Sequence, residues 1–251
     1  MQAIIINQQN MKKIKVACLG DSITKGTVSY KWVAQLSEEM KAFDFFNLGK
    51  NGDLAYNASL RIDEVTALQP DYVIILLGTN DVNATMTPAN IKRYIKSKKL
   101  PQIPNKEWYT AMLEEIVTAI KQATNAKIVL CTLPFVGEDI NGESNKKIRS
   151  YNEEITRLAQ KHTIDTIDLY KNMERYLASL IHYKPIGYQT SLMMMAKAIV
   201  RKFVFRQNWN TISKTNGLYL TTDTIHLNET GGRILAALVK EYLVTQSSAL
   251  S

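Results

Sequence analysis

Cysteine and histidine are scarce in this 251-residue chain, with two of the first and three of the second. Two thiols cannot supply a four-ligand zinc site. Cys18 and Cys131 each fall inside a β-like apolar run, so they read as buried free thiols and not as a disulfide. No apolar run approaches the roughly 18 residues that a membrane helix needs. The opening MQAIIINQQN has neither a basic lead nor a small-residue cleavage site, which argues against a secretory signal and makes a cytoplasmic protein the expectation. Met11 offers a second start, so residues 1–10 are given no weight. Internal repeats, low-complexity tracts and interdomain linkers are also missing. One domain over 1–251 is therefore expected, and at 45% hydrophobic and 22% charged it can bury a large core.

What the chain does have is an alternation of two periods. Short apolar runs rich in β-branched or aromatic residues occur at 14–19, 43–48, 72–77, 127–132 and 164–169. Helical patterns fall between and after them, at about 30–41, 57–68, 107–123, 144–161 and 229–244. Strands that are apolar throughout, and not on alternate residues, fit a sheet covered by helices on both faces. The expectation is a three-layer α/β/α sandwich around a parallel sheet.

The carboxyl ends of the first three runs share a chemistry. They continue into Gly20-Asp21-Ser22-Ile23, into NLGKNGD at 47–53 and into LGTNDV at 77–82. In an open parallel sheet such ends face one crevice. Ser22 has two readings there: a helix cap that accepts a backbone N–H, or a nucleophile if a base reaches it. Asp21 and Asp81 read as local backbone-capping residues.

A base has three candidates. His162, in QKHTID, reads as a surface residue at a helix end, and His182, in SLIHYKP, has no carboxylate nearby; both read as structural. His226 lies in the polar stretch TTDTIHLNETGG with Asp223 three residues ahead. On a tight turn that spacing can bring the carboxylate to Nδ1–H, fixing the tautomer that leaves Nε2 free to accept a proton.

Four blocks in order, GDSI at 20–23, NLGKNG at 47–52, GTND at 78–81 and DTIHLN at 223–228, resemble those of the SGNH (GDSL-type) hydrolases, with Ile23 in place of the usual leucine. The resemblance implies a flavodoxin-like fold with a central five-stranded parallel sheet. It makes Ser22 the nucleophile, His226 the general base and then acid, and Asp223 its orienting partner. It assigns the oxyanion hole to the backbone N–H groups of Ser22 and Gly52 and the side-chain amide of Asn80. Glycine lets the backbone approach closely, and asparagine donates without titrating. The implied activity is hydrolysis of an acyl or acetyl ester of a lipid or carbohydrate through an acyl-enzyme on Ser22, with no metal and no organic cofactor. The stretches LPFVGE (133–138) and SYNEEI (150–155) resemble further parts of the family, and no catalytic role is read from them.

Two other classes compete with this reading. One is a catalytically silent module that holds an anionic or carbohydrate ligand in the same crevice. The other is nucleic-acid binding, suggested by the net charge of +8. No nucleic-acid motif is present and the basic residues are not interleaved with an aromatic platform, so no nucleic-acid partner is expected; the expected partner is a small-molecule ester.

The positive charge is concentrated in two basic helical insertions, at about 84–108 and 170–215. The first holds Lys92, Arg93, Lys96, Lys98, Lys99 and Lys106 against Glu107, and residues 184–214 contain no acid at all. Both are longer than a βα connection needs. On a helix, Leu192, Met193, Ala196, Ile199, Val200, Phe203 and Val204 share one apolar arc, while Lys197, Arg201, Lys202 and Arg206 share the other face with Met194 and Phe205. The arc reads either as core packing or as part of a lid. The mixed face suits transient contact with an anionic lipid or membrane surface.

Overall fold

A computed structural model describes residues 13–189 and 192–248. Residues 1–10 lie outside these. Along the chain the elements are β1 (Ile14–Gly20), α1 (Ser22–Lys25), α2 (Trp32–Glu39), β2 (Phe43–Gly49), α3 (Ala55–Ser59), α4 (Asp63–Thr66), β3 (Tyr72–Leu76), α5 (Thr79–Ala84) and α6 (Pro88–Lys98). They continue with α7 (Lys106–Ala123), β4 (Lys127–Cys131), α8 (Glu143–His162), β5 (Asp165–Ile167), α9 (Leu169–Ala178), α10 (Leu192–Phe203), α11 (Trp209–Thr215) and α12 (Glu229–Ser248).

The five strands are parallel, in the order β2-β1-β3-β4-β5. Parallel neighbours require crossovers, and right-handed crossovers fix which face each helix covers. α2, α9 and α12 pack together on one side, and α3, α7 and α8 on the other. This covering explains the unbroken apolar strands: Val16 to Leu19 and all of β3 are buried. Each large aliphatic side chain so buried contributes about 1.5–3 kcal/mol. Cys18 and Cys131 lie within this core as free thiols. Burial pushes the Cys131 thiol up to about 12 and the Cys18 thiol higher still, so neither is a thiolate at neutral pH.

The sheet order reverses between β1 and β3. The ends of these adjacent strands open a crevice there, and they are followed by Ser22 and Asn80 respectively.

The helix expected over 57–68 is instead two short ones, α3 and α4. The Ser59 hydroxyl donates to the Tyr56 carbonyl at the end of α3, and the chain turns there so that Arg61 donates to Asp53 and to the Gly20 carbonyl. β5 is also shorter than the run 164–169. Asp168 leaves the strand to cap α9, its carboxylate accepting from Lys171 N at 3.0 Å.

Within 84–108 the chain forms α6, capped by the Thr87 hydroxyl with Pro88 at its first position and ended by Lys99 at φ 51°. Past α9, which packs on the core through Leu169, Met173 and Leu177, residues 179–189 lead towards α10 and α11. Ala198, Trp209 and Ile212 form a small core of their own. Among the described residues no helix is long and apolar enough to cross a membrane.

Candidate active site

Ser22 is the first residue of α1, immediately after β1. Asp21 caps that helix, accepting from Ile23 N at 2.8 Å, so the serine is free of the capping duty it could have had. Its Oγ lies 2.9 Å from Nε2 of His226, 204 residues away in sequence. On the other side of the imidazole, Nδ1 lies 2.7 Å from Asp223 Oδ2. The other carboxylate oxygen, Oδ1, accepts from His226 N at 2.8 Å and from Ile225 N at 3.2 Å. Asp223 thus folds its own loop and orients the ring, and the turn holds Thr224 at φ 72°, a conformation that only a tightly determined loop retains. All three side chains are buried.

Burial pulls the His226 pKa down, but the Asp223 carboxylate and, beyond it, Asp21 outweigh burial and hold it above its ordinary value. Burial pushes Asp223 up, and the imidazole and its hydrogen bonds pull it below the usual carboxylate range. Neighbouring acids behave differently. Burial raises Asp21 to about 6 and Asp81 to about 8. Asp81 is no local cap: both of its oxygens accept from Ala55 N, at the start of α3.

His162 and His182 are remote from this group. His162 pairs with Glu114 at 3.0 Å, and His182 is exposed.

Asn80 reaches the same crevice on α5. Its Nδ2 donates to Asp21 Oδ2 at 3.0 Å and to the Asp53 carbonyl at 3.1 Å. Its Oδ1 accepts from the Tyr94 hydroxyl at 2.7 Å. That hydroxyl itself accepts from Asn83 Nδ2, so its one hydrogen goes to Asn80 and the amide orientation is determined. Asn83 Oδ1 in turn accepts from the Tyr188 hydroxyl at 2.6 Å. A relay therefore runs from Tyr188 through Asn83 and Tyr94 to Asn80, tying both basic segments to the crevice.

Gly52 lines the crevice at φ 75°. A Cβ there would be strained and would meet Lys98 Cε at 2.8 Å, which accounts for glycine at this position. Lys98 itself donates to the Asn51 carbonyl and to Asp53 Oδ1, while Arg61 holds Asp53 Oδ2 at 2.9 Å.

Ser22, His226, Asp223, Asn80 and Gly52 line a cavity of about 380 Å³. Tyr188, Met195 and Ile199 also line it. On α10, then, it is Met195 and Ile199 that face inward and Ala198 that is buried. The apolar arc expected to act as one face is split, because Val200, Phe203 and Val204 are exposed. The side chains of Leu192 and Met193 lie outside the described residues.

Among the residues that sequence reasoning missed, the most deeply buried is Glu138, in the LPFVGE stretch. It is fully buried. Its carboxylate accepts from the backbone N–H groups of Tyr219, Leu220 and Thr221, at 2.7–2.8 Å, and from the Thr221 hydroxyl at 2.8 Å. The neighbouring Gly137 N donates to the Thr224 carbonyl at 2.7 Å. Residues 137–138 therefore clamp the loop that carries Asp223 and His226. At the other end of that loop, Asn228 accepts from Gly231 N and starts α12.

Among solved structures, the acetyl xylan esterase AlAXEase is 22% identical, with 91% of this chain and 99% of that one aligned at a TM-score of 0.61. Axe2, an acetylxylan esterase from Geobacillus stearothermophilus, is 20% identical over 90% of this chain and 92% of its own, at a TM-score of 0.64. LAE5, described as an alpha/beta hydrolase enzyme from the metagenome of Lake Arreo, Spain, is 19% identical over 90% and 93%, at a TM-score of 0.62. At these identities the likeness is one of fold. No curated protein sequence matches the chain.

A family model describing GDSL-like lipases and acylhydrolases matches residues 18–190. The match takes in Ser22, Gly52 and Asn80 and stops before Asp223 and His226, whose case rests on the distances above. On the strength of that match the chain belongs to the GDSL-like lipase/acylhydrolase family and is an ester-bond hydrolase.

Proposed function

We propose that the protein is a serine esterase that transfers the acyl group of a short ester, such as an O-acetyl carbohydrate, to Ser22 and then to water. The observation that carries this is the unbroken line from Ser22 Oγ through the His226 ring to Asp223, at 2.9 Å and 2.7 Å. With its Nδ1 hydrogen on Asp223, the imidazole accepts the Ser22 proton at Nε2 while Oγ bonds to the ester carbonyl carbon. The carbonyl electrons move to oxygen. Collapse of this tetrahedral species expels the alcohol oxygen, which takes the proton from Nε2. Water then repeats the sequence on the acyl-enzyme and releases the acid.

The oxyanion is stabilised by the Ser22 N–H, which as the first of its helix has no acceptor within it, by the Gly52 N–H, and by Asn80. Asn80 reaches it by sharing one of the two hydrogens that it now directs at Asp21 and at the Asp53 carbonyl. One such donor typically lowers the barrier by about 3 kcal/mol. The acetyl ester is favoured by the solved neighbours named as acetylxylan esterases.

The test is a pH profile of p-nitrophenyl acetate hydrolysis. His226 works as a base only when neutral, and its pKa lies above the ordinary histidine value of about 6.5. The rate should therefore fall as pH drops through a midpoint above 6.5. Asp223→Asn removes the larger of the two charges that hold this pKa up and leaves Asp21 alone against burial. Its residual activity, lower by about three to four orders of magnitude, should show the acid limb at lower pH. A flat profile between pH 5 and 8, or no turnover, overturns the reading.

A further inference from the structure

The cavity in front of Ser22 carries one charge that the protein does not balance. Arg93, on α6, lines it together with Ser22 and His226. Among the described residues no carboxylate pairs with Arg93; its guanidinium carbon sits 5.0 Å over the ring of Tyr94, which lines the same cavity. Lys98, on the same wall, is neutralised by Asp53 at 3.1 Å. Among the residues that line the cavity the sole acid is Asp223, and it is committed to His226. The space is thus set for negative charge. A guanidinium placed over an aromatic face keeps its N–H groups free to form a fork for carboxylate or phosphate oxygens.

We propose that the natural ester carries an anionic group, on its acyl or its alcohol side, that is seated on Arg93 while the ester carbonyl lies at Ser22. This rests on the esterase reading above and adds the substrate class. Tyr94 joins the two functions, since its ring lies beneath the Arg93 guanidinium and its hydroxyl donates to Asn80.

The test uses matched ester pairs on the full-length protein. p-Nitrophenyl hemiglutarate against p-nitrophenyl valerate places a carboxylate on the acyl side, and 1-acetylglycerol 3-phosphate against 1-acetylglycerol places a phosphate on the alcohol side. The wild-type protein should prefer the anionic member of at least one pair. Arg93→Gln should lower kcat/KM for that member roughly ten- to hundredfold, the size of a lost charge-assisted contact, and change its neutral partner by less than about twofold. Arg93→Lys should recover part of the loss. Equal effects of Arg93→Gln on both members of both pairs, or no anionic preference in the wild type, overturn the proposal. Turnover of the neutral esters in either case leaves the esterase reading standing, whereas no turnover of any ester removes both.

A separate observation concerns the outer face of α10 and the residues that follow it. Val200, Phe203, Val204 and Phe205 are 46%, 58%, 69% and 66% exposed. Lys197, Arg201, Lys202 and Arg206 are interleaved with them, in a stretch with no acid from 184 to 214. Exposed aromatic and aliphatic groups among cations complement an anionic bilayer, where the former enter the interface and the latter meet the headgroups. The geometry points to this face as a docking surface for anionic lipid. Vesicles of phosphatidylcholine with 30% phosphatidylglycerol should co-sediment the protein at low salt, and pure phosphatidylcholine should not. The double variant Val204→Ser, Phe205→Ser should weaken the partition roughly tenfold or more. Absence of sedimentation, an undiminished partition of the variant, or a concentration-dependent dimer that it abolishes would each overturn the proposal.

Discussion

Ser22→Ala is expected to remove p-nitrophenyl acetate hydrolysis almost entirely, by about three to six orders of magnitude, and to leave a folded protein. The rate loss follows from chemistry: no other hydroxyl lies within hydrogen-bonding distance of His226 Nε2 among the described residues, and both thiols are buried in the core as the neutral form. Folding is retained because, among the described residues, the Ser22 hydroxyl's one partner is that imidazole, and the helix is capped by Asp21. His226→Ala should lose as much activity but should also lower the melting temperature, since it leaves the Asp223 carboxylate buried with only backbone partners. The double variant should be no slower than either single one, because base and nucleophile act as a unit. Measurement by stopped assay and thermal melt decides the matter. A folded Ser22→Ala protein with wild-type turnover would sink the assignment of the nucleophile.

The parts of this site legible in the sequence are those whose cause is local. Glycine and polar residues at strand ends mark a crevice whatever lies around them, and Asp223 finds His226 through a turn three residues long. The sheet is legible for a similar reason, since strands covered on both faces must be apolar throughout. What the sequence hides depends on partners far along the chain. Tyr94 reads as one apolar residue of a basic helix until its hydroxyl is seen on Asn80, 14 residues back, and Tyr188 reads as a loop residue until it is seen on Asn83. α3 and α4 look like one helix because the break is enforced by Arg61, which reaches to the end of β1. The helical wheel of α10 by itself places its apolar residues on one arc. Which side of a helix becomes inner is decided by what it lies upon, here the cavity, so that Met195 and Ile199 turn inward and Val200 and Phe203 outward.

Glu138 is the furthest of these from any local signal, and its replacement is expected to have the second largest effect. A glutamate in a Gly-Glu-Asp loop reads as solvated, yet this one is fully buried, with its carboxylate saturated by donors from a loop more than 80 residues away. Oε1 takes the Leu220 and Thr221 N–H groups and the Thr221 hydroxyl, while Oε2 takes the Tyr219 N–H. In Glu138→Gln the amide oxygen can serve one side only, and the NH₂ group then meets a backbone donor with no acceptor between them. An unsatisfied donor pair of this kind, buried beside a lost charge-assisted bond, costs about 2–4 kcal/mol. In a chain of this size that corresponds to a fall in melting temperature of roughly 5–15 °C. The consequence for catalysis goes through geometry. Thr221 opens the loop whose far side is closed by the bond from Thr222 N to the His226 carbonyl, so slack at 219–221 is passed to the imidazole. The variant, assayed well below its melting temperature, should lose at least roughly tenfold in kcat with KM little changed, because a misplaced base affects the transition state more than binding. Its acid limb should also move to lower pH, as the contact between Asp223 and His226 loosens and burial of the ring gains weight. A buried acid with only a structural role would lower the melting temperature and leave the pH profile of the folded fraction where it was; an unchanged melting temperature would dismiss the clamp altogether.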